Sequence, residues 1–351
     1  MSYGAGMSNQ TNSHDALRMK GLLCAASGAV AFSGKAIAAK LMYRYGVDAF
    51  TVVGLRMLLA LPFFALMAWW ASRPQNGEKP LALDLRTWGQ IGALGFCGYY
   101  LASILDFLGL RYISASLERA VMYLNPTLVL LLGVVFRGER PRLAQVGAVL
   151  LAYVGVAVVW LHDWDAAMAP SAGVAAAGVN AVQAMTVGSL LVFFSALSYA
   201  VYLMGSVTLV RRIGSSRLVG LASMVACALA LLQWAVVAWS DYAVVAWLPP
   251  TPPMAVLPTQ GGGFAGLPLE VWFLSLVNAL ACTVLPVWLV MRAVQLLGAS
   301  LASQVGMVGP LSTLWMAAVI LGEPVTWRLI LGTGLILLGI VWLTRAGTGP
   351  R

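Results

Sequence analysis

Charged side chains are scarce in this sequence, in which only 9% of the 351 residues are Asp, Glu, Lys or Arg and 61% are hydrophobic. An ordinary soluble domain carries about 25% charged residues. A surface in contact with water cannot be built from so few charges, so the sequence excludes a soluble protein. Histidine is nearly absent too, with two residues in the whole chain, and there are only four cysteines.

The spacing of these few residues excludes several kinds of site. The cysteines show none of the short spacings typical of zinc sites, haem attachment or disulfide frameworks; they are Cys24, Cys97, Cys227 and Cys282. His14 and His162 lie far apart, and no His, Cys and acidic cluster assembles near a predicted membrane interface. The sequence therefore predicts no metal, no cofactor and no catalytic residues, which argues against an enzyme.

Long apolar runs fill most of the chain. About 20 apolar residues are needed to cross roughly 30 Å of hydrocarbon as a helix. Backbone groups in lipid must pair within the chain, so these runs are predicted to be helices of an all-α integral membrane protein. Ten spans are predicted, at 21–42, 49–70, 88–108, 115–136, 143–161, 188–209, 218–239, 271–291, 297–320 and 329–344.

The basic residues are distributed unevenly between the predicted loops. With the N-terminus inside, fourteen of the 21 Lys and Arg lie in inner segments, and only Arg44, Arg111 and Arg328 lie in outer ones. This bias is typical of the positive-inside rule, so the net charge of +9 does not indicate a nucleic-acid partner. We expect a multi-pass protein of the cell inner (plasma) membrane, with cytoplasmic tails at 1–20 and 345–351.

The chain contains an internal repeat at an offset of 184 residues. The offset aligns Trp88 with Trp272, Ala115-Ser116-Leu117 with Ala299-Ser300-Leu301, Pro126 with Pro310, and Gly138-Glu139 with Gly322-Glu323. Chance matching of apolar segments explains isolated Leu or Ala matches but not this combination. The sequence therefore predicts two five-helix repeats, at 21–161 and 188–344.

An odd number of spans per repeat means that the second repeat enters the membrane from the opposite side. Inverted repeats of this kind are typical of carriers that work by alternating access. The repeats are separated by an outer loop at 162–187, and a second long outer loop, 240–270, lies within the second repeat.

Four segments carry a family resemblance: FSGKAIAAKLMYRYG, LRMLLALPFF, YISASLERAVMYLNPTLVLLL and LGASLASQVGMVGPLSTLWMAAVILGE. Together with the repeat, they resemble the drug/metabolite transporter superfamily, specifically its ten-helix EamA type, over roughly residues 20–345. The resemblance implies a secondary carrier, commonly an exporter of amino acids or other small metabolites. It also implies a cavity lined mainly by the first, third, fourth, sixth, eighth and ninth helices.

Six charged residues fall within predicted spans, where each costs about 2.5–3.5 kcal/mol on an insertion scale. All six lie in the first repeat: Lys35, Lys40, Arg56, Asp106, Glu118 and Arg119. At helical spacing Ser116, Arg119 and Tyr123 share one side of helix four, and Glu118 lies about 100° away. We therefore expect that Glu118 and Arg119 do not point into one small site.

The predicted substrate-binding residues are Lys35, Arg119, Tyr99, Tyr123, Tyr199, Ser303 and Gln304. The alternative is that Lys35 and Arg119 form structural ion pairs with Asp106 or Glu118. These two acidic residues are also candidates for proton coupling. For Lys40 and Arg56 we favour a structural pair, or a side chain that extends to the membrane interface.

Two further features of the sequence concern helix ends and bends. Pro126 and Pro310 are predicted to kink their helices, either as hinges or as fixed curvature. Glu139 and Glu323 precede prolines and are interpreted as signals for the start of the next helix.

The sequence thus favours a secondary active transporter of a small amino acid-like or anionic metabolite that works by alternating access. The direction of export is implied by the resemblance alone. The alternatives are a membrane-embedded enzyme or lipid-handling protein and, less favoured, a passive channel. The expected partners are the solute, the lipid bilayer and a proton as coupling ion, and a homodimer is left open.

Overall fold

A computed structural model of the chain describes residues 5–74, 82–138, 140–168, 181–239, 266–297, 302 and 305–348. All regular secondary structure in these ranges is helical. Nine of the described helices are long and apolar enough to cross a membrane, and a tenth apolar helix is shorter. The prediction of an all-α membrane protein with ten spans is confirmed.

The ten helices follow one another along the chain. They are α1 (Ala5–Arg44), α2 (Ala49–Ala71), α3 (Leu85–Leu110), α4 (Ala115–Arg137), α5 (Leu143–Met168), α6 (Ala181–Ile213), α7 (Ser215–Trp239), α8 (Leu269–Leu297), α9 (Val308–Leu321) and α10 (Trp327–Thr348). Of the ninth predicted span, 297–320, residues 298–301, 303 and 304 lie outside the described residues, and α9 is the continuous described part that begins at Val308.

The duplication is visible in backbone irregularities that recur 184 residues apart. A π-helical stretch interrupts α3 at Phe96–Leu101, and another interrupts α8 at Leu280–Val284. Gly138 after α4 and Gly322 after α9 both adopt a left-handed conformation, with φ of 64° and 75°. A side chain is strained at that φ, so glycine permits the two helices to end at matched positions.

The predicted kinks at Pro126 and Pro310 are breaks in the helices. Helix α4 is interrupted at Tyr123 and Leu124 and resumes at Asn125, so Pro126 lies in the first turn of the second segment. Met307 interrupts the second repeat at the position that matches Tyr123. Proline is tolerated in a first turn, where its missing N–H has no intrahelical partner to lose.

Side-chain contacts define the two ends of the bundle. At one, the Arg44 end, Arg44 Nη2 donates to the Leu321 carbonyl over 2.7 Å. At the other, the Arg73 end, Arg217 Nε donates to Ser72 Oγ over 3.1 Å and joins α7 to α2. Helix α2 packs along α7, and α1 packs along α8.

Helices α5 and α10 are packed closely because glycines let their backbones approach. A Cβ added at Gly155 of α5 would lie 2.7 Å from the Gly332 carbonyl oxygen and 2.8 Å from the Ile336 nitrogen. These neighbours are backbone atoms of α10, which a side-chain rotation cannot move aside. A Cβ added at Gly334, also on α10, has no atom of a described residue within 4 Å.

We predict that Gly155→Ala destabilises the fold by about 1–3 kcal/mol, because the added methyl group forces α5 and α10 apart. Gly334→Ala, the matched control, should not destabilise the protein, since alanine favours the helix by up to about 1 kcal/mol. Thermal unfolding of the purified variants, followed by tryptophan fluorescence, measures both effects. A melting temperature of Gly155→Ala equal to that of the wild type would contradict this account of the packing.

Candidate functional site

A central cavity of about 340 Å³ lies between the helices of the first repeat and those of the second. Among the described residues its lining comes from α1, α2, α3, α4, α6, α7 and α8. Five of these agree with the helices that the family resemblance implied. Helices α2 and α7 contribute as well, which was not expected. The described part of α9 does not line the cavity, but 298–301, 303 and 304 lie outside the described residues, so the role of the ninth helix stays a prediction.

A cluster of buried charges lies at the cavity. Lys35 Nζ is 2.5 Å from Asp106 Oδ2 and 3.8 Å from Glu118 Oε1. Arg119 Nε is 3.8 Å from Glu118 Oε2. The four side chains are only 0–5% exposed and come from α1, α3 and α4. The ion pairs considered as an alternative in the sequence are therefore present, and they join three helices.

Glu118 and Arg119 are separated at the central cavity but not in the charge cluster. Arg119 lines the central cavity and Glu118 does not, as their angular separation on α4 predicts. The two long side chains nevertheless contact each other, so they belong to one charge cluster. Both side chains have unused hydrogen-bonding atoms. No described residue hydrogen-bonds to either carboxylate oxygen of Glu118, or to Nε and Nη2 of Arg119.

Arg56 is a cavity residue that the sequence analysis missed. Its side chain does not extend to an interface, since it is only 5% exposed, and Nη2 donates to Ser103 Oγ over 2.8 Å. The guanidinium lies 4.8 Å from the centre of the Phe107 ring, in cation–π contact. The sequence of α2 alone does not indicate that Arg56 lines the cavity, because its partners Ser103 and Phe107 belong to α3.

The predicted tyrosines Tyr99, Tyr123 and Tyr199 all line the central cavity. The hydroxyl groups of Tyr99 and Tyr202 are 3.1 Å apart, and Tyr123 donates to the Gly306 carbonyl over 3.2 Å. Pro126 lines the cavity beside the break in α4, whereas Pro310 borders a small void next to it. Ser303 and Gln304 lie outside the described residues.

A second cavity, the polar pocket, lies at the Arg44 end and has a volume of about 290 Å³. Its polar lining includes Lys40, Arg111, Ser114, Ser116, His162, Asp163 and Glu323. Lys40 therefore faces a pocket that the sequence did not predict. Glu323 does not act on the helix that follows it, as the sequence suggested, because its carboxylate contacts the start of α4. Glu139 lies outside the described residues.

An apolar cleft of about 700 Å³ lies at the Arg73 end, between α2 and α8. The first part of α8, Leu269–Ala279, packs against both α1 and α2, while the last part, Leu285–Leu297, packs against α1. The cleft and the central cavity share Phe64 and Val287 in their linings. The central cavity therefore adjoins a space that extends towards the Arg73 end.

Two curated proteins resemble this chain. The uncharacterized transporter YcbK of Bacillus subtilis (strain 168) is 28% identical over 307 residues, which cover 88% of this chain and 87% of that protein. A probable terminal-alkyne amino-acid exporter of Streptantibioticus cattleyicolor is 31% identical over 166 residues, or 46% of this chain and 54% of the exporter.

A solved structure, described only as the crystal structure of a protein, matches 93% of this chain and 96% of its own with a TM-score of 0.54. At 18% identity this match supports the fold alone. The EamA-like transporter family matches residues 19–161 and 186–345, nearly the whole chain, in two copies. The chain, a multi-pass membrane transporter, therefore belongs to the EamA-like transporter family.

Proposed function

We propose that the protein is a secondary carrier that moves a small amino acid-like or anionic metabolite through the central cavity by alternating access. The observation that supports this most strongly is the excess of positive charge at the cavity. Among the residues that the structure describes, Lys35, Arg56 and Arg119 face two buried acidic groups, Asp106 and Glu118. A solute carboxylate would balance the remaining charge, and a volume of about 340 Å³ suits a small metabolite.

Arg119 is the favoured partner for this carboxylate. The Lys35 ammonium is already engaged with Asp106 at 2.5 Å, whereas two guanidinium nitrogens of Arg119 have no hydrogen-bond partner among the residues that the structure describes. Tyr99, Tyr123 and Tyr199 add a partly apolar wall on which the rest of the solute can pack. The name of the Streptantibioticus relative, an amino-acid exporter, supports the same class of solute and the direction of export.

The positive-inside rule places the Arg73 end in the cytoplasm, together with both termini. The central cavity adjoins the cleft at that end, since Phe64 and Val287 line both spaces, although contacts join the two repeats at both ends of the bundle. We therefore interpret this conformation as inward-facing. Export begins when the solute enters from the Arg73 end.

We predict that Arg119→Gln raises the KM for the solute at least about tenfold, since hydrogen bonds to charged groups contribute roughly 1.5–3 kcal/mol. Counterflow in proteoliposomes, with labelled amino acids and small organic acids, measures this change. Lys35→Met is a less direct test, because it leaves Asp106 buried without its cation and threatens folding.

Arg211→Gln is the matched control for this experiment, because Arg211 is exposed at the end of α6. It should transport as the wild type does. Arg119→Lys should restore part of the affinity, since it keeps the charge but not the guanidinium geometry. Wild-type KM in a folded Arg119→Gln protein would refute the assignment of the site.

Glu118 is the favoured residue for proton coupling. Asp106 is hydrogen-bonded to Lys35, whereas Glu118 has only ion-pair contacts of 3.8 Å, to Lys35 and Arg119. Neither oxygen of Glu118 accepts a hydrogen bond within the described part of the chain, and the side chain is 0% exposed. A proton makes such a buried carboxyl much less costly. It would also let Glu118 donate to nearby Asp106, whose Oδ1 has no hydrogen-bond partner in the structure.

We predict that Glu118→Gln abolishes accumulation driven by a pH gradient but preserves solute exchange, because glutamine keeps the shape of the side chain without carrying the proton. Asp106→Asn, by contrast, should impair both activities, since it removes the partner of Lys35. Both are measured in the same proteoliposomes with and without a pH gradient. If Glu118→Gln still accumulated solute against its gradient, Glu118 would not be the coupling residue.

The apolar cleft between α2 and α8 favours one alternative, a lipid-handling protein. Trp70 and Trp288 in its lining are 68% and 58% exposed, so the cleft is positioned to contact lipid. Transfer of a labelled phospholipid between leaflets, without saturable exchange of any small solute, would favour that function over the carrier.

A further inference from the structure

Glu323 makes a contact between the two repeats that the proposed carrier function leaves unexplained. It follows α9 in the second repeat, yet its carboxylate accepts hydrogen bonds at the start of α4 in the first. The donors are the Ala115 N–H at 2.8 Å, the Ser116 N–H at 3.3 Å and the Ser116 hydroxyl at 2.9 Å. The chain therefore already holds one carboxylate in a site of three donors, at the positive end of a helix.

The polar pocket around the Glu323 carboxylate contains a cation, Lys40, with which the carboxylate could pair if it left the start of α4. Lys40 lines the polar pocket with Glu323 and makes no hydrogen bond or ion pair among the described residues. Asp163, the other acidic group of the pocket, is engaged by the N–H and the hydroxyl of Ser114, at 3.1 and 3.0 Å. If Glu323 left Ala115 and Ser116, Lys40 is the free cation in this part of the structure that could pair with it.

Arg119 independently supports an anion site next to Ser116. It lies one turn beyond Ser116 on α4, and both residues border one small void, with Tyr123. Arg119 is 4% exposed, and its Nε and Nη2 have no hydrogen-bond partner in the described chain. Arg119 also lines the central cavity, and Ser116 also lines the polar pocket. The small void therefore lies between the central cavity and the polar pocket.

We propose that the donors of Ala115 and Ser116 form a second site for the solute carboxylate, which Glu323 occupies in this structure. On its way out, the solute carboxylate moves from Arg119 to these donors, and the displaced Glu323 pairs with Lys40 in the polar pocket. One carboxylate replaces another, so no buried donor is left without a partner. This inference rests on the proposed function only in taking the solute to carry a carboxylate.

The exchange also explains how the solute opens the Arg44 end. A ligand shifts a conformational equilibrium only if it binds one state more tightly than the other. A carboxylate at Ala115 and Ser116 is compatible only with the state in which Glu323 has left, and departure of Glu323 removes a bond between the repeats. Solute binding and opening of the polar pocket are therefore coupled at the same donors.

The test uses Ala184→Cys as a reporter, because Ala184 lines the polar pocket and is only 6% exposed. Labelling of the full-length purified protein in detergent by a polar maleimide measures how often the pocket opens, with the chain lacking the reporter as background. Glu323→Gln should raise the labelling rate about tenfold without any solute, since it removes the charged acceptor. Glu270→Gln, an exposed glutamate at the start of α8, should leave it unchanged.

Acetate serves as the carboxylate probe, compared with chloride at equal ionic strength. Acetate should accelerate labelling in the wild type and add nothing in Glu323→Gln, whose pocket is already open. Glu323→Asp, which keeps the charge, should label more slowly than Glu323→Gln and so shows whether the amide variant is merely misfolded. No response to acetate in the wild type, or no opening in Glu323→Gln, would overturn the proposal.

Labelling requires no transport, so a negative labelling result and a negative transport result count against different proposals. If the wild type exchanges solute in proteoliposomes but acetate does not change labelling, only the second carboxylate site is refuted. If acetate opens the pocket but no solute exchanges, the second site stands and the carrier proposal fails.

Discussion

The buried charges of Lys35, Asp106, Glu118 and Arg119 are the constraint on which the rest of the structure depends. All four are at most 5% exposed, so each is stabilised by lying beside an opposite charge, and α1, α3 and α4 pack to bring them together. Removing one partner leaves an unpaired charge at great cost. The cluster therefore fixes the position of the cavity, and Arg56 adds a positive charge that the cluster does not balance.

The two repeats share backbone features but differ in their buried charged residues. One π-helical stretch, one left-handed glycine and one helix interruption recur at matched positions in both repeats. The charges do not, since the residues that match Asp106 and Glu118 are Val290 and Ala302. The first repeat therefore supplies most of the polar chemistry of the site, while the second supplies a matching scaffold and the carboxylate of Glu323.

Most of the fold could be predicted from the sequence, because lipid forces each long apolar run into a helix and the 184-residue offset relates the repeats. Helical periodicity also placed Ser116, Arg119 and Tyr123 on one side of α4, where they border one void. Arg56 and Glu323 were misinterpreted for a common reason. Their partners, Ser103 and the start of α4, come from other helices, and periodicity within one helix carries no information about them.

Helix α4 connects the two carboxylate sites that we propose. Its first segment, Ala115–Met122, begins at the donors held by Glu323 and carries Glu118 and Arg119 one turn later. The break at Tyr123 and Leu124 separates this segment from the rest of α4, which leaves it free to move without bending an intact helix. In the mechanism that we propose, the solute, the proton and Glu323 all act on these eight residues, so a shift of this one segment would couple them.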